Sequence, residues 1–126
     1  MKKQRILFCR YTVDGHDRGL VTVMNRCRDA GMEVIYIHFH NIKEIIQAAV
    51  QEDVHVIAIS SSMGEHFSVI NELMPQLKKD SYEIPVILGG VIPTVDVGPL
   101  LKMDVKGVFG PGSSPDEAID LISSFA

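Results

Sequence analysis

Short apolar runs alternate with longer amphipathic stretches five times along this chain, and that alternation dictates a layered α/β fold. The strand candidates are Arg5–Arg10, Glu33–His38, Val54–Ser60, Ile84–Leu88 and Val105–Phe109. The third and fourth are the most continuously apolar and β-branched, as expected of central parallel strands covered on both faces. Between the strands, apolar residues recur at helical spacing. Leu20, Met24, Cys27 and Arg28 form one stripe, with Gly31 as its stop. Ile42, Ile45, Ile46, Ala49 and Val50 form the next. Phe67, Ile70, Leu73, Met74 and Leu77 form a third, which Pro75 should kink or interrupt. A shorter helix is expected over Val97–Met103. Ser114 as N-cap, Pro115 at N1 and Glu117 three residues after the cap start the last, with Ala118, Ile119, Leu121 and Ile122 on its apolar face.

Five strands alternating with five helices predict a doubly wound parallel sheet. Right-handed crossovers leave few arrangements, and the flavodoxin-like (Rossmann-like) order 2-1-3-4-5 is the one expected. The 126 residues fit one domain, residues 1–126, with no linker or repeat.

Composition narrows the partners. The formal net charge is −4 and no basic cluster stands out, which argues against nucleic acid, since phosphate binding needs grouped positive charge. No apolar run approaches the roughly 18 residues of a membrane span. The polar start of the chain leads straight into a strand, so a soluble, cytoplasmic protein is expected. Cys9 and Cys27 make no metal or redox spacing and are expected to be buried, reduced thiols.

In an open α/β sheet, ligands bind beyond the carboxyl ends of the strands at the switch point, here between strands 1 and 3. The unusual residues gather in the loops at those ends. They are Tyr11–Gly19 after strand 1, Ser60–Gly64 after strand 3, Gly89–Pro93 after strand 4 and Gly110–Ser114 after strand 5. Glycine and small hydroxyl residues leave volume for a ligand. A phosphoacceptor receiver would want an Asp ending strand 3 and a Lys after strand 5. Here strand 3 ends in Ser60 and no such Lys follows. A flavodoxin would want a Ser/Thr-rich phosphate loop where this chain places Asp14 and His16. A carboxylate two residues from an imidazole can fix its tautomer and leave one nitrogen free for a metal. One His is too few for a protein-only zinc site but enough for the axial position of a macrocycle-held metal. On the residues alone, an axial ligand, an Asp-oriented general base and a loop histidine with a capping Asp all stay open.

Asp14-Gly15-His16-Asp17-Arg18-Gly19 reads as DxHxxG and resembles the cobalamin-binding domain of the methylmalonyl-CoA mutase family. The resemblance extends over nearly the whole chain. Asp53–Ser60 is similar to that family's third strand, Gly89–Pro93 to its GGVIP turn and Phe109–Gly112 to its FGPG loop. It implies base-off binding, with the dimethylbenzimidazole off cobalt and the nucleotide tail in a slot beside the sheet. His16 would then ligate cobalt, and Asp14 would accept a hydrogen bond from its other nitrogen. Gly15, Asp17 and Arg18 complete the motif, and Gly19 would start the first helix without crowding the tail. Ser60 and Ser62 would face the tail, Gly89 and Gly90 would give it room, and the Gly110–Gly112 loop would approach its nucleotide end. The family's SxL motif reads Ser60-Ser61-Ser62 here, so a small polar residue replaces its Leu. His66 matches a family histidine near the corrin. His38, His40 and His55 are read as structural or solvated.

In that family, adenosylcobalamin supplies a radical and the acyl-CoA substrate sits in a separate (β/α)8 barrel. The resemblance therefore implies the small subunit of an acyl-CoA mutase, partnered by a large acyl-CoA-binding barrel subunit and inactive alone. A corrinoid methyl carrier is the alternative, although such carriers place a helical bundle before the cobalamin domain and strand 1 begins here at about residue 5. A non-catalytic cobalamin-binding module is the third reading.

Overall fold

A computed structural model describes residues 3–11 and 18–125, with Arg18 described in its backbone alone. The elements alternate strictly: β1 (Arg5–Tyr11), α1 (Arg18–Asp29), β2 (Glu33–Phe39), α2 (Ile42–Gln51), β3 (Val56–Ser61), α3 (His66–Lys79), β4 (Val86–Gly90), α4 (Thr94–Leu101), β5 (Gly107–Phe109) and α5 (Pro115–Ser124). The strands form one parallel sheet in the order β2-β1-β3-β4-β5, as expected from the sequence.

Strand residues alternate between two cores because successive side chains point to opposite faces. Leu7, Cys9, Ile57, Ile59 and Leu88 face α2, α3 and α4. Ile6, Phe8, Val56, Ala58 and Ile87 face Leu20, Met24 and Cys27 of α1 and Ile122 of α5. Both cysteines are free and buried, and burial pushes the Cys27 thiol up to about 11 and the Cys9 thiol further.

The expected helix and strand limits shift for local reasons. Pro75 does not interrupt α3, which continues to Lys79 because Leu73 and Leu77 are buried on either side of it. The fourth helix starts at Thr94 rather than Val97 and accommodates Pro99 inside it. β3 begins at Val56 rather than Val54, whose N–H instead donates to the Ala49 carbonyl and closes the end of α2. β4 begins at Val86 because Pro85 has no N–H, although its carbonyl still accepts from Ile57. Ser114 caps α5, its hydroxyl accepting from the Asp116 N–H at 3.1 Å. A full capping box lies elsewhere, at Asn41 and Glu44 of α2.

The scattered histidines have structural partners. His55 Nδ1 accepts from the Arg5 N–H at 2.9 Å. His38 Nε2 lies 3.1 Å from Arg10 Nη2 and 3.1 Å from the Tyr36 hydroxyl. His40 sits beside Glu44.

Candidate ligand slot between the first and last helices

A cavity of about 790 Å³ opens at the carboxyl end of the sheet, between α1 and α5. Phe8, Ala58 and Ile87 line it from the strands, and Leu20 and Ala118 from the two helices. Its size and mixed lining suit a small organic ligand. Gly19, Ser60, Ser62, Gly89, Gly90, Gly110 and Gly112 all line it. The structure thus brings together every described residue expected at the site except Arg18, whose side chain is not described. Asp14, Gly15, His16 and Asp17 lie outside the described residues. A larger groove of about 1010 Å³ opens at the opposite end of the sheet, around Tyr82, Ile84 and Lys106, and contains none of the expected residues.

The glycines act differently from one another. A Cβ on Gly19 would meet nothing within 4 Å. Gly89 pairs in register with Ser60, and a Cβ on it would make an ordinary contact, 3.5 Å from the Phe109 carbonyl oxygen. Gly90 has φ +121°, and a Cβ on it would stand 2.0 Å from the Ser61 carbonyl oxygen. That carbonyl accepts from the Val91 N–H at 2.9 Å, so β4 ends by folding tightly across β3. Gly90 is therefore required by backbone contact as well as placed on the slot. Ser60 is buried on the slot side, whereas the buried Ser61 hydroxyl has no hydrogen-bond partner among the described residues.

On the other face of the sheet, His66 Nε2 donates to Asp96 Oδ2 at 2.9 Å, joining the first turn of α3 to the first turn of α4. Asp96 carries no mark in the sequence that distinguishes it from an ordinary first-turn acid. Met63, Val91 and Val95 are 56%, 57% and 81% exposed, the three most exposed large hydrophobic side chains among the described residues. They belong to the segments after β3 and β4, and Val91 also lines the slot. Sequence reasoning also missed Thr22, Val23 and Pro115 as lining residues. The signal was present in α1, where Gly19, Thr22, Val23 and Arg26 follow i, i+3, i+4, i+7 spacing.

The B12 binding domain family matches residues 5–120, within which the slot and its loops fall. The chain belongs to that family. Cobalamin is accordingly its ligand, and the fold and family expected from the sequence hold. Among relatives, the 2-hydroxyisobutanoyl-CoA mutase small subunit of Aquincola tertiaricarbonis is 36% identical over 122 residues, covering 95% of this chain and 90% of the relative. The pivalyl-CoA mutase small subunit of Xanthobacter autotrophicus is 35% identical over 122 residues, covering 95% and 82%. The methylmalonyl-CoA mutase of Escherichia coli is 38% identical over 128 residues, which cover 97% of this B12-binding chain but 18% of that enzyme. A solved cobalamin-binding protein from Desulfitobacterium hafniense superposes with a TM-score of 0.83 at 16% identity, covering 99% of this chain and 60% of the other. The receiver domain of a Francisella response regulator superposes with a TM-score of 0.74 at 18% identity, covering 98% and 96%. At such low identities these likenesses speak for the fold alone, which a receiver and a B12-binding domain share.

Proposed function

We propose that this chain is the cobalamin-binding small subunit of an adenosylcobalamin-dependent acyl-CoA mutase, binding the cofactor base-off with His16 on cobalt. The observation that carries the reading is the convergence of seven sequence-marked glycines and serines on one slot. Similarity to two mutase small subunits along 95% of the chain supports the mutase assignment. The fit is chemical as well as spatial. Gly19 leaves the α1 wall open, and the floor of Phe8, Ala58 and Ile87 is apolar enough for an aromatic base. Ser60 and Ser62 bring hydroxyl groups to that floor.

When bound, the cofactor supplies a weak cobalt–carbon bond as the radical source. The protein's part is to hold and orient. His16 would hold the cobalt, and Asp14 would accept the second ring N–H of that histidine, which would fix its tautomer. Gly15, Asp17 and Arg18 would belong with them to the cofactor-binding motif. The hydroxyl of Ser60 or Ser62 donates to the benzimidazole nitrogen, which would otherwise be a buried unpaired acceptor. Gly89 and Gly110 keep the slot wide.

The acyl-CoA site lies on a large barrel subunit that docks over the carboxyl edge of the sheet, against Met63, Val91 and Val95. Exposed apolar side chains in the segments that follow β3 and β4, one of them lining the slot, fit such a role. No helix among the described residues is long and apolar enough to cross a membrane. The two buried free thiols fit a reducing, cytoplasmic setting.

Titration with adenosylcobalamin tests the reading. The native chain should shift the absorbance spectrum from the base-on to the base-off form, and His16→Ala should weaken binding at least tenfold. A spectrum that stays base-on at saturation, or unchanged affinity in the variant, would contradict it.

A further inference from the structure

The two helices that wall the slot are joined by an ion pair. Arg26 Nη2 donates to Asp116 Oδ1. Arg26 lies one turn beyond the lining residue Val23 of α1, and Asp116 follows the lining residue Pro115 in the first turn of α5, so the pair stands beside the cavity rather than in its lining. The two ends are held unequally. The Asp116 backbone N–H is bound by the Ser114 cap, and its carboxylate sits at the positive end of the α5 dipole. The guanidinium is at the end of a long flexible stem, and both side chains are open to solvent, 47% exposed for Arg26 and 63% for Asp116.

We propose that Arg26 and Asp116 form a strap between the slot walls, which must open for the nucleotide tail of cobalamin to enter or leave. The inference rests on the reading that the tail occupies this slot. An exposed pair adds little to folding stability, and its consequence is kinetic. Each passage of the tail requires the walls to part, so the pair is broken on the way in and on the way out. The strap therefore slows exchange of the complete cofactor. A corrinoid without the tail has no need to part α1 from α5 and should be indifferent to it.

The scale follows from exposed ion pairs, whose strength corresponds to roughly a 1.4- to 5-fold change in rate. The experiment is stopped-flow absorbance on the full chain with adenosylcobalamin and with adenosylcobinamide, which lacks the nucleotide. Binding of adenosylcobalamin by the native chain is read first, because its failure removes the slot reading itself. Arg26→Ala and Asp116→Asn should each raise both the association and dissociation rates of adenosylcobalamin by that factor. The rates for adenosylcobinamide should not move. Arg26→Glu combined with Asp116→Lys should return adenosylcobalamin rates toward native, and about 1 M salt should erase the native–variant difference by screening. The Asp116→Asn variant keeps the α5 cap and guards against a folding artefact, checked by thermal melting. Native-like exchange in both single variants overturns the strap. So does an equal change for both corrinoids, which would place the effect on helix packing rather than on the tail.

Discussion

The carbonyl oxygen of Ser61 occupies the space where a side chain on Gly90 would begin, 2.0 Å from the position of a Cβ. The obstacle is backbone on the neighbouring strand, which cannot swing away as a flexible side chain can. Gly89, one residue earlier, has only an ordinary contact at 3.5 Å. Gly90→Ala should therefore cost at least about 2 kcal/mol, from the φ of +121° and the clash together. Gly89→Ala should fold nearly as well as the native chain yet bind cobalamin more weakly, because its methyl group enters the slot. Urea denaturation of both variants, followed by cobalamin titration of Gly89→Ala, separates fold from site. Equal destabilisation of the two would contradict this division of roles.

The exposed Met63 and Val95 side chains make a prediction about assembly. Met63→Asp and Val95→Asp should leave stability and cobalamin affinity close to native, since both side chains are more than half exposed. They should weaken association with the large subunit about tenfold or more, measured by calorimetry or analytical ultracentrifugation. Asp96→Ala acts on stability instead. It leaves the buried His66 ring without its carboxylate partner and should cost about 1–3 kcal/mol.

The start of α2 carries an acid-sensitive contribution. Glu44 accepts backbone N–H groups from His40 at 2.7 Å and Asn41 at 3.2 Å, and these hold its carboxyl below the usual carboxylate range. A carboxyl lowered in the folded state contributes stability above its unfolded value, and loses it as pH falls through the lower folded value. The stability gap between the native chain and Glu44→Gln should therefore be complete at pH 7 and shrink below roughly pH 4. Chemical denaturation at a series of pH values reads it directly. Asn41→Ala, which removes the other half of the box, should cost about 1 kcal/mol.

Strand order was legible in the sequence because the apolar runs of β3 and β4 are continuous, and the crossover rule then leaves few topologies. Helix ends were less so. α1 is followed by Gly31 in the left-handed region, a signal any reading would use, but the chain leaves α2 and α3 through Asp53 and Ser81 at φ +50° and +60°. Those side chains announce no stop. Pro75 misled in the other direction, because burial of Leu73 and Leu77 outweighs one lost hydrogen bond. At the site, Ser60 and the glycines were legible because small residues at strand ends have a steric meaning. Arg26, Asp116 and Asp96 were not, since each is an ordinary surface charge until the fold places its partner beside it.

Ligation of cobalt by His16 in place of the benzimidazole is the core of the proposed function. Its most direct test is the EPR spectrum of cob(II)alamin bound to protein labelled with nitrogen-15 histidine. With His16 on cobalt, the nitrogen hyperfine pattern changes from the triplet splitting of nitrogen-14 to the doublet of nitrogen-15. Splitting that remains that of the unlabelled benzimidazole would contradict it.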